Sequence, residues 1–399
     1  MARTDAKPRL PQAYLRLWLA TGIDNFGTGA FTAAVPLLAV TVTHDPRLVS
    51  LVATAAYLPW LLLSLPAGSL ADRHDRVTLM WRAQAGQAAL AGAAAVVVAC
   101  GGLSLPVLVV TAFGLGAGEV VFGTAAQAIV PDLVAKPLLP RANGRLQAIT
   151  TFADQFAGPP AGSLLFGLAA ALPLGLDAVS FGLAAVLVAT VPRRAKDIPA
   201  RTGLKEGIAW LWRHRLLRTL AILLGVNTFC GQLAYATLVL LVTQVLHLDA
   251  RGYGLLLTGA ALGSVLGGLA GVRVVARIGA LPALLTALTV NAAAFAGIGL
   301  SPGAVVLGAF LALNGFVTTL WNVVTVGLRQ QCVPSGLLGR VTSVYRLVGW
   351  GLIPAGTLTG GLVAHALGLR APYLVAGAVR GIALVVVLPV LIRALRGSG

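Results

Sequence analysis

The chain has 399 residues, of which 58% are hydrophobic and only 10% are charged. Soluble domains carry about 25% charged residues, so a chain this poor in charge cannot cover a water-facing surface and is predicted to span a membrane repeatedly. In a soluble protein the net charge of +17 would suggest binding to nucleic acid. Here the basic residues fall between apolar segments, which favours contact with a lipid bilayer and no nucleic-acid partner.

Twelve apolar segments are long enough to cross a bilayer, because a spanning helix needs about 20 mostly apolar residues. The sequence therefore predicts an all-α membrane protein, and an even number of spans returns the chain to the side where it began. The predicted spans are 16–42, 48–70, 78–100, 104–130, 144–169, 173–192, 217–244, 252–276, 280–300, 303–328, 340–366 and 371–393.

The basic residues divide unequally between the two sets of loops. One set and the two ends hold every Lys and Arg except Arg47, Arg251, Arg370 and Arg380. Cytoplasmic loops are the ones rich in Lys and Arg. We therefore expect a multi-pass protein of the cell membrane (inner or plasma) with both termini in the cytoplasm.

The longest polar segment, residues 193–215, separates six spans from six. It predicts a six-helix bundle over 1–192, a cytoplasmic linker over 193–215 and a second six-helix bundle over 216–399. Within the linker, apolar residues recur at helical spacing, which favours an amphipathic helix on the membrane surface. These residues are Leu204, Ile208, Leu211 and Trp212.

An internal repeat supports the division into halves. Residues 160–168 and 354–362 are identical at six of nine positions, and both lie in the fifth span of their half. Parallel repeats are a known plan of transporters that open to either side of the membrane in turn.

The loop between the second and third spans carries consecutive titratable residues from Asp72 to Arg76. A charged turn of this kind lies in water at one membrane face. Residues 68–76 resemble the loop motif G-x-L-a-D-R-x-G-R-[RK] of the major facilitator superfamily, with an aspartate at the second glycine. The resemblance implies a gate that holds the outward-facing state through the start of span eleven. The residues implied in this gate are Gly68, Asp72, Arg73, Asp75, Arg76 and Arg340.

Two further stretches resemble drug exporters of the same superfamily. Residues 128–146 are similar to the enterobactin-exporter and macrolide-efflux branch, and residues 158–162 to the span-five motif of drug antiporters. The resemblance covers the whole chain. It implies twelve helices in two pseudo-symmetric bundles around a central cavity, and export of a small molecule driven by a proton gradient without a cofactor.

The expected substrate is a small amphipathic compound, such as a drug, a macrolide or a siderophore-like metabolite, and the expected state is a monomer. A proton-coupled uptake symporter is the main alternative, and a membrane sensor or enzyme is a more distant one. No nucleotide-binding loop or nucleophile motif occurs, so we expect a transporter and not an enzyme. The histidines and cysteines have no metal-ligand spacing, so we expect no metal site.

Three acidic residues lie deep inside predicted spans: Asp24, which is next to Asn25, Glu119 and Asp154. Asp177 lies too near the outer end of span six to count as deep. Charged groups in hydrocarbon are costly, so each is a candidate for proton coupling or for contact with a cationic substrate. Structural pairing is the alternative for each. Arg380 in span twelve predicts either an acidic or carbonyl partner, or an anionic substrate.

Residues Gly158, Pro159, Pro160 and Gly162 predict a bend in span five. Proline rings remove backbone donors and interrupt regular helical bonding. A bend that stabilises one transport state and a passive kink are both compatible with this pattern.

Overall fold

The computed structural model describes residues 10–192, 204–334 and 337–396, which form helices joined by short turns. Within these ranges there is no β-strand. The first half of the chain forms α1 (Gln12–Val42), α2 (Pro46–Arg73), α3 (Arg76–Ala99), α4 (Leu105–Leu133), α5 (Leu139–Thr151), α6 (Gly158–Leu168) and α7 (Leu172–Ala189).

In the second half, the helical segment that begins with α9 is interrupted before α11. After α9 the chain makes one short helix, α10, and then a π-helical turn, Leu241–Val245. The helices of this half are α8 (Leu204–Arg213), α9 (Arg215–Tyr235), α10 (Leu238–Leu240), α11 (Ala250–Ile278), α12 (Ala280–Leu300), α13 (Ala304–Cys332), α14 (Leu338–Gly351), α15 (Ile353–Leu367) and α16 (Ala371–Arg396).

The all-α membrane architecture is confirmed. In the described part of the chain, 10 helices are long and apolar enough to cross a membrane. Helix α3 and the α5–α6 segment, which also occupy predicted spans, are not among them and carry charged and amide side chains among their apolar residues. The count of twelve spans stays a prediction.

Short polar and glycine signals set the helix ends. The Asp75 carboxylate accepts a hydrogen bond from the Thr78 amide at 2.8 Å and so caps the start of α3. Asp249 caps α11 in the same way through the Gly252 amide at 2.8 Å. At the end of α11, Gly279 has φ 84°, a left-handed conformation that glycine adopts without steric cost.

Contacts between residues divide the chain into two compact units. One contains α1 up to Ala34 and the chain from Leu62 through α7, and its core surrounds Tyr14, Met80 and Phe122. The other contains Val35–Leu61 and the helices from α8 onward. Its core includes buried aromatic side chains of α13 and α14. The predicted domain boundaries at 192 and 216 stay a prediction.

The predicted amphipathic helix of the linker is present as α8. Leu211 is buried in the core of its unit, and Trp210 packs against that core. Ile208 and Trp212 are 41% and 62% exposed. Of the predicted apolar stripe, Leu211 therefore faces the protein core, whereas Ile208 and Trp212 face outward. Residues 193–203 of the predicted linker and the Leu204 side chain lie outside the described residues.

Candidate transport site

Four carboxyl groups from four different segments come together in the first unit. Asp24 lies on α1, Glu119 on α4, Asp154 in the π-helical turn between α5 and α6, and Asp177 on α7. Asp24, Glu119 and Asp177 each interact electrostatically with at least one other carboxyl group of the four. The structure thus brings the three predicted acids together and adds a fourth, and we call this group the carboxyl cluster.

Asp24 is fully buried and has hydrogen-bond donors for both of its oxygens. The Gln84 amide donates to Oδ1 at 2.6 Å, and the Asn25 amide donates to Oδ2 at 3.2 Å. Asn25 is itself positioned by a 2.8 Å bond to the Thr21 carbonyl. The predicted pair Asp24–Asn25 is therefore in direct contact, and Gln84 of α3 completes the set.

Glu119 and Asp177 lack such donors. Oε2 of Glu119 and both oxygens of Asp177 are buried without a hydrogen-bond partner, as are the side-chain oxygens of Gln84 and Gln87. A buried acceptor without a donor costs free energy. These oxygens can be satisfied by protons on the carboxyl groups or by a donor from a bound molecule. In the part of the chain that the structure describes, no three metal-ligating side chains are placed to hold a metal ion.

Glycines let the helices of the cluster approach closely. A Cβ atom added at Gly27 would lie 2.6 Å from Oδ1 of Asp177, and one added at Gly29 would lie 2.9 Å from the Cα of Asp154. Both distances are shorter than real Cβ contacts. Glycines on α1 therefore allow the segments that carry Asp154 and Asp177 to pack directly against it.

Span five is interrupted directly before the Gly-Pro-Pro sequence, while the bend predicted there stays a prediction. A π-helical turn runs from Phe152 to Ala157, and the Gly158 amide bonds to the Ala153 carbonyl. Pro159 and Pro160 follow in the first turn of α6, where a missing backbone donor costs little. π-Helical turns occur often at functional sites, and this one carries Asp154.

Asp177 was not predicted as a site residue, because counting residues places it near the outer end of span six. The structure leaves it 0% exposed. Its position on the helix contains a usable signal, since Ser180, Phe181 and Ala184 share its buried face at spacings of three, four and seven. Gln84 and Gln87 give the same kind of signal on α3, because two amides three residues apart share one face of an apolar helix.

Arg380 is buried in the second unit with neutral partners. Its guanidinium donates to the side-chain oxygen of Asn291 and, at 2.5 Å, to the backbone carbonyl of Asn227. It also lies over the ring of Phe295, 4.1 Å from the centroid. Of the two kinds of partner predicted for Arg380, the structure has carbonyl oxygens, and none of its described partners is a carboxylate.

The Arg380 site continues through polar side chains that sequence reasoning missed. The Asn291 amide donates to Asn314 at 2.8 Å and to Thr318 at 3.2 Å, and Asn314 donates to the Tyr235 hydroxyl at 3.0 Å. This chain connects four helices of the second unit. It positions the acceptor that Arg380 uses.

Arg76 of the loop motif has two partners on α4 of the first unit. Arg76 donates to Asp132 at 2.5 Å and to the Ala128 carbonyl at 2.7 Å, both on α4. A Cβ atom added at Gly68 would meet no atom within 4 Å. The Asp72 side chain lies outside the described residues, and Arg73 is exposed.

The second half of the predicted gate has a partner in its own unit. Arg340, at the start of α14, forms an ion pair with Glu206 of α8. Gly207 packs against the same arginine, since a Cβ atom added at Gly207 would lie 2.8 Å from the Cβ of Arg340. The roles predicted for Gly68, Asp72, Arg73, Asp75, Arg76 and Arg340 in gating stay predictions.

Helix α2 contacts α14 and α15 inside the second unit. The hydroxyl oxygens of Thr54 and Thr357 lie 2.8 Å apart and share a buried hydrogen bond. Directly before α2, Oδ1 of Asp45 lies 3.6 Å from Nδ1 of His365. Hydrogen bonds from Arg47 lower the pKa of Asp45 to about 2, so the Asp45 carboxylate stays charged at neutral pH.

The sequence matches the family described as transmembrane secretion effector over residues 6–397. The chain belongs to this family. The family lies within the major facilitator superfamily, so the predicted resemblance is confirmed, and the protein is a multi-pass membrane transporter and not an enzyme.

The multidrug efflux pumps Tap of Mycobacterium tuberculosis and Mycobacterium bovis are similar to this family member. Each is 29% identical over 391 residues, which cover 91% of this chain and 89% of the pump. Among solved structures, a bacterial homologue of the iron transporter ferroportin in an inward-facing state has a TM-score of 0.74 at 18% identity, covering 96% of this chain and 99% of the other. The nucleoside transporter NupG has a TM-score of 0.70 at 12% identity, covering 95% and 99%. At these low sequence identities, the two structures support the assignment of the fold and not of a substrate.

Proposed function

We propose that this transporter exports a small amphipathic compound across the cell membrane, and that protons returning through the carboxyl cluster reset it for the next cycle. The direction is supported by the family, described as a secretion effector, and by the similarity to Tap, which is described as a multidrug efflux pump. The coupling is inferred from the chemistry of the cluster.

The observation that carries the proposal is the set of unpartnered carboxyl oxygens on Glu119 and Asp177. A carboxyl group in this position holds a proton, or it pairs with the cationic end of a substrate. The two occupants exclude each other, because either one satisfies the same oxygen. Competition of this kind makes release of the substrate depend on uptake of a proton.

Asp24 has a different role in the proposal. Its oxygens are already held by the Gln84 and Asn25 amides, so it is placed to remain fixed beside Glu119. Asp154 lies in the π-helical turn, where the backbone departs from regular helix bonding. We propose that rearrangement of this turn changes the exposure of Asp154 during the cycle.

Efflux of ethidium from cells that lack their own pumps tests the proposal. We expect Glu119→Gln and Asp177→Asn to slow efflux at least about tenfold, the change that about 1.4 kcal/mol produces, because neither amide can take up and release a proton. The matched control is Asp249→Asn, since Asp249 is an acid that caps α11 outside the cluster and Asn caps helices equally well. Normal proton-dependent efflux by both cluster variants would contradict the carboxyl assignment.

Direction and coupling are measured separately in inside-out membrane vesicles loaded with a pH-sensitive dye. Export with proton antiport predicts that ethidium entering the vesicles releases protons from the lumen, and that Glu119→Gln abolishes this release. Ethidium uptake by right-side-out vesicles that follows an inward proton gradient would identify a symporter and reject the export proposal.

A further inference from the structure

A groove between α1 and α5 is lined by none of the side chains of the carboxyl cluster. Its volume is about 430 Å³, within the range of about 300–1,000 Å³ that small-molecule sites have. The groove is lined by Leu15, Trp18, Arg145, Ala148, Ile149 and Phe152. We call it the α1–α5 groove.

The walls of the α1–α5 groove are apolar. The indole N–H of Trp18 donates to the Arg145 carbonyl at 3.0 Å, so the polar edge of this ring is satisfied by backbone. Phe152 is 58% exposed and stacks on Phe156, with ring centroids 6.3 Å apart. An exposed aromatic wall of this kind is suited to hydrocarbon.

The groove has one charge, the guanidinium of Arg145. This side chain is exposed, and no acid in the described ranges pairs with it. Arg145 lies at the predicted cytoplasmic end of span five, and Phe152 lies seven residues further along. At about 1.5 Å per residue, the aromatic wall is about 10 Å deeper in the membrane than the charge.

We propose that the α1–α5 groove binds an anionic phospholipid, with the phosphate on Arg145 and one acyl chain against Ile149 and Phe152. The charge and the apolar wall are in the order in which a lipid presents its headgroup and its chain. The cytoplasmic leaflet is the one rich in anionic lipid, and basic pockets between membrane helices bind such headgroups. A free anion would leave the apolar wall unused, and a lipid without net charge would gain less from Arg145.

Quenching of Trp18 fluorescence by lipids brominated in the acyl chain reports occupancy of this groove. The full-length protein is placed in nanodiscs that contain brominated phosphatidylglycerol or brominated phosphatidylcholine with the same chains. Each protein is paired with the same protein carrying Trp18→Phe, and the difference isolates the Trp18 signal. We expect phosphatidylglycerol to bind about fivefold more tightly, since one basic residue near an anionic surface contributes on that scale.

Three variants separate charge from shape. Arg145→Gln should remove the preference for phosphatidylglycerol, and Arg145→Lys should keep it. Ala148→Phe should lower quenching by both lipids, because the new ring fills the groove. If Ala148→Phe melts at a lower temperature than the wild type, the smaller substitution Ala148→Leu is measured in its place. The matched control Arg277→Gln removes an exposed arginine elsewhere and should change nothing.

Equal quenching of the wild type by the two lipids would identify a groove that accepts any acyl chain and would overturn the proposal. An unchanged preference in Arg145→Gln would overturn it as well. Because lipid binding is read without transport, neither outcome depends on the proposed export activity.

Discussion

Glu119 and Asp177 carry the same chemical group as Asp24 but have different surroundings. Asp24 receives two amide hydrogen bonds, whereas the other two acids have buried oxygens without donors. Asp24 is therefore held as a fixed member of the cluster. Glu119 and Asp177 are the members left to exchange a proton or to meet a substrate.

Arg380 is a buried cation held by neutral acceptors, of which Asn291 is the only side-chain oxygen among its described hydrogen bonds. Leaving a buried polar group without one of its hydrogen-bond partners costs about 1–3 kcal/mol, whereas replacing both partners by apolar groups of the same shape is nearly neutral. We expect Asn291→Leu to destabilise the protein by about that amount, and Asn291→Leu with Arg380→Met to recover most of the loss.

Thermal unfolding followed by size-exclusion chromatography measures these variants in detergent. Thr359→Ala is the control, since Thr359 is an exposed hydroxyl of α15 that bonds to its own helix. If the double variant were no more stable than Asn291→Leu alone, Arg380 would not be the group that requires Asn291.

At the scale of helices, α6 packs against α1 through glycines. A Cβ atom at Gly162 would lie 2.7 Å from the Cα of Ala30, and one at Gly158 would lie 2.7 Å from the Cα of Gly29. The neighbouring atoms are backbone and cannot turn away. The Gly-Pro-Pro segment therefore combines an interrupted helix with a close helix–helix contact, which is the combination that fixes the direction of span five.

Gly162→Ala tests this contact. We expect a loss of about 1–3 kcal/mol, the usual cost of forcing an extra methyl group into a packed site. The control is Gly182→Ala on α7, where an added Cβ meets nothing within 4 Å. We expect Gly162→Ala to melt at a lower temperature than Gly182→Ala. Equal melting temperatures would show that the close contact between α1 and α6 does not contribute to stability.

At the scale of the molecule, the second unit includes part of the first half of the chain. Val35–Leu61 clusters with the helices from α8 onward, and the Thr54–Thr357 hydrogen bond is one of its buried contacts. Close packing of α2 on α15 also depends on Gly361, whose added Cβ would lie 2.7 Å from the Pro46 carbonyl oxygen. In a transporter that opens to either side in turn, a contact between segments so distant in sequence is a candidate to break in each cycle.

A disulfide between Thr54→Cys and Thr357→Cys tests whether this contact breaks. In a background without Cys100, Cys230 and Cys332, we expect the bond to form under mild oxidation, because the native hydroxyls lie 2.8 Å apart. Ethidium efflux should stop on oxidation and return on reduction.

The control for the disulfide pairs Thr54→Cys with Thr359→Cys, two residues along α15, where the side chain is half-buried and lies on a different face from Thr357. This pair should stay reduced and active. Full efflux by the oxidised Thr54–Thr357 protein would mean that the contact persists through the cycle.

The sequence by itself determined the membrane class, the all-helical architecture and the superfamily, because a bilayer demands apolar helices and the loop motif at 68–76 is specific. It also directed attention to Gly158, Pro159 and Pro160, beside which span five is interrupted, whereas the bend predicted there stays a prediction. Asp24, Glu119 and Asp154 were identifiable one by one, because an acid in an apolar span is visible without knowing its neighbours.

Only the tertiary structure decided which of these groups meet. Asp177, Gln84 and the acceptors of Arg380 lie on other helices, and their contacts depend on how each helix is rotated about its axis. Most transmembrane helices here are apolar around most of their circumference, so lipid-facing and protein-facing sides carry similar residues and the pattern of polarity does not reveal the rotation. Packing of glycines against neighbouring backbone sets that rotation, and the packing exists only once the helices are assembled.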